Sequence, residues 1–260
     1  MAATHTIICP DLRGFGWSQA PPGDYAKRTL AQDMLGLLDA LGLERVDLMA
    51  HDWGAWAGFQ LCLEQPERFA HYLALNILTP WPDRPSPRAA LGLWRLIYQV
   101  MLCTPPLARR LLGGDFVKRV IRSGAVHPDA WSGEDLELYA AVLRQPQRID
   151  ASIHLYRTFL TRELMPYFAG YFGRRRLEVP TLLLHGTKDP AIDHRRLGRW
   201  AQNSDQMAVE YRDDSGHFIV EELPGIVAAR ALALFGGLSP SEVLVAAGSA
   251  GANASTPPVR

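Results

Sequence analysis

The sequence predicts an α/β protein with a mostly parallel, doubly wound sheet and a helical insertion. Short apolar runs of the kind found in buried parallel strands alternate with segments whose apolar residues recur at helical spacing. A long middle stretch, from 80 to 176, has helical spacing and almost no strand signal. The 260 residues are 48% hydrophobic and 21% charged, which is typical of a folded protein. This length indicates one large domain, or one domain carrying an insertion.

The first strand-helix-strand unit occupies the first fifty residues. Thr6–Cys9 is predicted as a strand, and a helix is predicted over Leu30–Leu43, closed by Gly42. A second strand follows over Val46–Ala50. A strand, a crossover helix and a strand in this order form a right-handed parallel unit.

The next elements continue this alternation and define the predicted domains. A helix from about 53 to 65 ends at Pro66, and 72–78 is predicted as a strand. Strand patterns return over 179–186 and near 207–211, and a last helix is predicted from about 222 to 235. We therefore expect a core formed by 1–79 and 177–237, a helical insertion at 80–176, and a disordered tail at 238–260, which is rich in Ser, Ala, Gly and Pro.

The charge balance restricts the classes of partner. Lys plus Arg and Asp plus Glu both number 27, so there is no global field to attract nucleic acid or an anionic membrane. No run reaches the roughly 18 uninterrupted apolar residues of a membrane span. The three widely spaced cysteines suggest a reducing compartment, and we expect a cytoplasmic location. No His-Glu-x-x-His or paired-Cys spacing is present, so neither a metal nor a cofactor is predicted.

A predicted strand runs directly into a predicted helix at Asp52. The sequence Ala50-His51-Asp52-Trp53-Gly54 places small residues two before and two after the central one, the spacing of a nucleophile elbow. A carboxylate that displaces at a saturated carbon forms an alkyl ester, which water can cleave. The alternative interpretation of Asp52 is an ordinary helix N-cap.

Two further acid-base residues follow later strands. Asp189, in Gly-Thr-Lys-Asp-Pro, has the position of an acid that orients a histidine, and His217, in Ser-Gly-His-Phe, has the position of the base. The order nucleophile, acid, histidine is that of a catalytic triad on a strand-turn-helix scaffold. The alternative interpretation of Asp189 is a turn former before proline.

Together these motifs resemble the epoxide hydrolase and haloalkane dehalogenase branch of the α/β hydrolases, over nearly all of residues 6 to 236. The matching segments are Asp11-Leu-Arg-Gly-Phe-Gly-Trp-Ser18, His51-Asp-Trp-Gly54, Gly186-Thr-Lys-Asp189 and Gly216-His-Phe218. The resemblance implies Asp52 as nucleophile, Asp189 as acid, His217 as base and 80–176 as a helical cap over the pocket. It also implies that the Trp53 backbone N–H donates to the oxyanion hole, although Trp53 could serve only for packing.

The two chemistries of this branch differ in what receives the leaving group. Tyr156 resembles the second-half cap tyrosine of the epoxide hydrolases, and Tyr98 is a looser match to the first-half tyrosine. Two tyrosine hydroxyls imply hydrolysis of a small apolar epoxide by water to a vicinal diol. The cap tryptophans Trp94 and Trp131 keep haloalkane dehalogenation as the alternative activity. The alternative for Tyr156 and Tyr98 is a purely structural role, as amphipathic residues on a helix with their hydroxyls at its rim.

The family motif His-Gly-x-Pro, which supplies the second oxyanion donor upstream of Asp11, is not in this sequence. The resemblance therefore implies a sheet that lacks its N-terminal strands. Loss of one oxyanion donor typically costs about 3–4 kcal/mol of transition-state stabilisation, so a weakly active or non-catalytic protein is the third hypothesis. An unpaired strand edge would also favour a homodimer or aggregation.

Overall fold

The computed structural model describes residues 1–83 and 97–248. Within these ranges, four strands form one sheet in the order β1-β2-β3-β4, and every neighbouring pair is parallel. The strands are β1 (Val46–His51), β2 (Phe69–Leu75), β3 (Thr181–Gly186) and β4 (Met207–Arg212). All four carboxyl ends therefore lie at the same edge of the sheet.

Helices fill the connections between these strands. Among the described residues, short 3₁₀ turns follow β2 or β3 at Pro128–Ala130, His194–Arg196 and Trp200–Gln202, and one precedes β2 at Pro66–Arg68. A π-helical turn spans Phe159–Glu163. The α-helices are α1 (Lys27–Ala40), α2 (Asp52–Glu64), α3 (Ile97–Cys103), α4 (Pro105–Leu112), α5 (Phe116–Gly124), α6 (Gly133–Leu143), α7 (Pro146–Thr158), α8 (Leu164–Phe168), α9 (Ile219–Glu222), α10 (Pro224–Phe235) and α11 (Pro240–Gly248).

Two hydrophobic clusters cover the two faces of the sheet. Tyr72 and Ala74 of β2 pack in the cluster that contains α1 and α2, whereas Leu73 and Leu75 pack with α10 and α11. Alternate residues of a strand point to opposite faces, so both faces of β2 are buried. The predicted doubly wound parallel sheet is confirmed.

The strand predicted at Thr6–Cys9 is wrong. Residues 6–10 form neither strand nor helix, and Ile7 and Ile8 are 48% and 47% exposed. A β-prone run becomes a strand only when a neighbour accepts its backbone hydrogen bonds, and no described strand lies beside it. The described sheet therefore ends at β1, where Met49 is 40% exposed.

The predicted disorder of 238–260 is wrong over its first part. Pro240–Gly248 forms α11, and Val243 and Ala247 are 1% and 3% exposed. Val243 packs in the hydrophobic cluster on the α10 face of the sheet, a contact that the Ser- and Gly-rich composition does not reveal. Residues 249–260, like Trp94 and the rest of 84–96, lie outside the described residues.

Between β2 and β3 the regular secondary structure of the described residues is all helical, and we call α3 to α8 the helical insertion. The helices from α3 through α7 share a hydrophobic cluster of their own, whose apolar side chains include Leu102, Ile121 and Leu136. In the part of the chain that the structure describes, no helix is long and apolar enough to cross a membrane.

Candidate active site

Asp52 stands at a strained turn between β1 and α2. Its φ of +49° lies in the left-handed region, which non-glycine residues rarely adopt without a structural reason. A Cβ added at Gly54 would stand 3.9 Å from Ala50 Cβ, so these two small residues face each other across the turn. This geometry lifts the Asp52 side chain above the sheet edge, as the elbow spacing predicts.

Asp189 and His217 meet at the neighbouring strand ends. His217 Nδ1 donates a hydrogen bond to Asp189 Oδ2 at 2.8 Å, and the other carboxylate oxygen accepts from the backbone N–H groups of Ala191 and Ile192 at 2.7 and 2.9 Å. Asp189 is only 5% exposed. The carboxylate is therefore fixed on both oxygens, and it fixes the tautomer of the imidazole with Nε2 left for other partners.

The charges of this pair shift both pKa values in opposite directions. Burial disfavours the charged imidazole, but the hydrogen bond and negative charge of Asp189, with the further charge of Asp52, raise the pKa of His217 to about 9. Burial likewise disfavours ionised Asp189, and its bonds to His217 and Asn76 lower its pKa to about 2. Asp189 therefore stays ionised at neutral pH and stabilises the positive charge on His217.

Asn76 was missed by the sequence reasoning. It follows β2 directly with a φ of +41°, and its Nδ2 donates to Asp189 Oδ2 and to Gly216 O, both at 2.9 Å. Its Oδ1 accepts from Gly186 N at 3.3 Å. A fully buried amide thus ties the acid to the chain before His217. The available signal was a polar residue at the carboxyl end of a core strand.

A cavity of about 560 Å³ opens between this edge of the sheet and the helical insertion. Asp52, His217, Tyr98 and Tyr156 all line it. The two tyrosine rings meet edge to face, with centroids 5.9 Å apart. Asp189 does not line the cavity and reaches it only through His217.

The two tyrosines remain protonated in this environment. Burial raises the pKa of Tyr98, and the negative charge of Asp52 adds to this effect. Burial also raises the pKa of Tyr156, with contributions from Tyr98 and Asp52. Both hydroxyls are consequently hydrogen-bond donors throughout the neutral range.

The rest of the cavity wall is mostly apolar. Its described acidic side chains are Asp52 and Glu221, whose pKa is raised by burial, and no Lys or Arg lines it within 1–83 and 97–248. Trp131 also lines the cavity and packs edge to face on Phe218. The other tryptophan of the dehalogenase alternative, Trp94, cannot be placed because it falls outside the described ranges.

Trp53 occupies the layer behind the elbow rather than the cavity wall. Its ring packs against Phe159 and receives the Lys27 ammonium at 4.2 Å from its centroid. Lys27 itself is fully buried and pairs with Glu163 of the π-helical turn at 2.9 Å. As the second residue of α2, Trp53 has a backbone N–H without an intrahelical acceptor, consistent with the predicted oxyanion donor.

Two other histidines lie near the site: His185 is fully buried, and His51 is half-buried and lines the cavity. His51 Nε2 donates to the His217 backbone carbonyl at 2.8 Å, and burial together with the neighbouring His217 lowers the pKa of His51 to about 4. Burial also lowers the pKa of His185 to about 4. Among the described side chains, no group of three or more His, Cys, Asp and Glu is arranged to hold a metal ion.

Comparison with known proteins defines the class. Residues 2–224 match the family model described as the alpha/beta hydrolase fold, and the chain therefore belongs to the α/β-hydrolase family. Within that family it falls in the branch of the epoxide hydrolases and haloalkane dehalogenases, and it is a hydrolase of the α/β fold.

Individual relatives illustrate this branch. A soluble epoxide hydrolase of Corynebacterium sp. strain C12 is 27% identical over 242 residues, which cover 90% of this chain and 82% of the relative. A fluoroacetate dehalogenase of Burkholderia sp. is 28% identical, covering 86% of this chain and 76% of the relative. Among solved structures, wild-type Cfl2 of Burkholderia cenocepacia is 25% identical with a TM-score of 0.73, covering 87% of this chain and 77% of that one.

Proposed function

We propose that the protein hydrolyses small uncharged epoxides to vicinal diols through an alkyl ester on Asp52. The observation that carries the proposal is the cavity itself, which holds one elbow carboxylate, one histidine backed by a buried acid, and two protonated tyrosines. A carboxylate nucleophile needs a saturated carbon, and an epoxide oxygen needs proton donors as its bond to that carbon breaks. The helical insertion then acts as the cap that supplies both tyrosines.

The first half-reaction forms the ester. An Asp52 carboxylate oxygen attacks one epoxide carbon, the C–O bond on that carbon breaks, and the departing oxygen takes a proton from Tyr156, with Tyr98 as its second donor. The edge-to-face contact of the two rings keeps both hydroxyls on one wall of the cavity. The products are a hydroxyalkyl ester and a tyrosinate.

The second half-reaction cleaves the ester. His217 takes a proton from water, whose oxygen adds to the ester carbonyl, and the Trp53 N–H is placed to stabilise the resulting oxyanion. Collapse expels the second diol oxygen, which takes the proton held by His217. The proton on the regenerated Asp52 carboxyl returns to the tyrosinate, so one epoxide and one water give one diol. Asp189 stabilises the transient imidazolium.

The lining favours a neutral substrate over an anionic one. Asp52 and Glu221 are the acidic groups of the described wall, and no described Lys or Arg faces them across the cavity. A substrate carboxylate would be desolvated next to like charges, which is unfavourable. A fluoroacetate-like substrate therefore fits this cavity less well than an apolar epoxide.

Haloalkane dehalogenation is the second candidate. Trp131 lines the cavity, and its ring N–H is the type of donor that can bind a halide. Two tyrosine hydroxyls beside Asp52 favour the epoxide, because oxygen rather than halide requires a proton.

Substrate ranking and one substitution test the proposal. The wild-type protein should form diol from styrene oxide faster than it releases halide from 1-bromobutane. Tyr156→Phe should slow ester formation by about 10²-fold, the lower end of the range for a general acid, because Tyr98 remains as a donor. The matched control is Tyr171→Phe, because Tyr171 is 58% exposed and is not part of the cavity lining. Faster halide release, or an unchanged rate in Tyr156→Phe, would contradict the proposal.

A further inference from the structure

Glu222 is a buried carboxylate with an unusual set of partners. It is the last residue of α9 and is 8% exposed, and no Lys or Arg in the described residues forms an ion pair with it. Burying a carboxylate is costly unless hydrogen bonds replace the lost water. Its hydrogen bonds therefore show which parts of the structure it holds.

The four hydrogen bonds of Glu222 go to two different segments. Oε2 accepts from the backbone N–H groups of Val126 and His127, at 2.6 and 3.0 Å, directly after α5 of the helical insertion. Oε1 accepts from the backbone N–H of Gly216 at 3.0 Å and, more weakly, from Ser215 Oγ at 3.4 Å. One carboxylate thus bridges the insertion and the loop that carries His217.

The two segments also touch directly around this bridge. His217 N donates to Gly124 O at 2.8 Å, and His127 Nε2 donates to Asp214 O at 2.9 Å. A Cβ added at Gly216 would lie 2.2 Å from the Gly124 carbonyl oxygen, so the backbones approach too closely for any side chain there. Gly124 and His217 both line the cavity, so this junction is part of its wall.

We propose that Glu222 is a positioning residue that fastens residues 124–127 to the loop of residues 213–218 and thereby places His217 for ester hydrolysis. This inference rests on the proposed function. Asp189 fixes only Nδ1 of the imidazole, whereas the Cα position of His217 depends on the loop backbone. Without the bridge, two direct hydrogen bonds remain between the insertion and the loop, so the loop is held less tightly while the pair with Asp189 remains.

A positioning role predicts that the two half-reactions respond differently. Ester formation needs Asp52 and the tyrosines, none of which contacts Glu222 through a described hydrogen bond. Ester hydrolysis needs His217 within reach of the attacking water, and a displacement of about 1 Å can cost about 10²-fold in rate. A purely structural role would slow both half-reactions together or neither.

Glu222→Gln is the test variant, because it keeps the side-chain shape but offers one acceptor oxygen in place of two. Its amide NH₂ must then face either the 126–127 amides or the Gly216 amide, and one side of the bridge is lost. Using styrene oxide in single-turnover experiments, we expect hydrolysis of the Asp52 ester to slow 10- to 100-fold, ester formation to change less than 3-fold, and the covalent intermediate to accumulate.

The matched control is Glu210→Gln. Glu210 is another buried carboxylate, which lies on β4 and pairs with Arg230 of α10 at 2.6 Å. This control variant should not change the ratio of the two rate constants. A second control combines Glu222→Gln with His217→Gln, where the hydrolysis defect should be no larger than in His217→Gln alone, since Glu222 acts through His217. Equal slowing of both half-reactions, or an additive double-variant defect, would overturn the inference.

A measurement on the wild-type chain covers the case in which the Gln variant does not fold. If one carboxylate holds both segments, the amides of Val126, His127 and Gly216 should exchange with solvent in a single opening event, with equal free energies of opening. Independent exchange would overturn the inference. Absence of any Asp52 ester would instead reject the proposed function.

Discussion

Asn76→Ala removes the amide that ties β2, β3 and the His217 loop together. This side chain makes three hydrogen bonds. Its Nδ2 donates to Asp189 and to Gly216, and its Oδ1 accepts from Gly186. Asn76 is fully buried, so water does not replace the lost partners. The substitution also places alanine at a φ of +41°.

The size of the effect follows from these contacts. A net contribution of about 1 kcal/mol for each hydrogen bond gives a loss of about 3 kcal/mol in the free energy of unfolding. The left-handed backbone adds about 1 kcal/mol for alanine, whereas glycine adopts it freely. We therefore expect Asn76→Ala to cost about 4 kcal/mol and Asn76→Gly to cost about 1 kcal/mol less.

Chemical denaturation of the wild type and the two variants measures both quantities. Asn76→Ala should also raise the pKa of Asp189, because one donor to its carboxylate is lost. A loss below about 1 kcal/mol in Asn76→Ala would show that the three bonds are not needed. Equal stability of the Ala and Gly variants would show that the positive φ carries no strain.

The remaining predictions concern the base, the buried lysine and the sheet edge. The negative charges of Asp189 and Asp52 together raise the pKa of His217 to about 9. Esterification of Asp52 removes one of these charges, so the rate of ester hydrolysis should rise with pH through a pKa below 9. A pKa above 9 in this profile would contradict the prediction. Lys27→Met should cost about 3 kcal/mol by leaving Glu163 without its cation, and denaturation of Lys27→Met/Glu163→Gln should show a smaller loss than the sum of the single variants. The outer edge of β1 has no described neighbour, so light scattering should detect self-association as a homodimer or larger species that Met49→Lys weakens; a monomer at all concentrations would contradict this.

The sheet could be predicted because its signals are local. The apolar runs that became β1, β3 and β4 are short and bounded by turn residues, and α2 ends at Glu64, two residues before Pro66, close to the predicted end. Asp52, Asp189 and His217 could be proposed as neighbours because each follows such a run, and parallel strands bring their carboxyl ends to one edge. Position along the chain thus determined position in space for these residues.

The rest depended on contacts between distant segments. Thr6–Cys9 has the composition of a strand, but strand formation needs a neighbour that composition does not report. The α11 region looked disordered because burial of Val243 depends on packing against the sheet. Glu222 and Lys27 carry no motif, and their roles follow only from partners about 95 and 136 residues away.

The covalent intermediate on Asp52 tests the central claim most directly. His217→Gln lacks the base for hydrolysis, so incubation with styrene oxide should trap the ester. Intact-mass measurement should show one adduct with the mass of the epoxide, and peptide mapping should place it on the peptide that contains Asp52. Asp52→Asn/His217→Gln should show none. An adduct on another residue, or no adduct under conditions where the wild type forms diol, would contradict the assignment of Asp52 as the nucleophile.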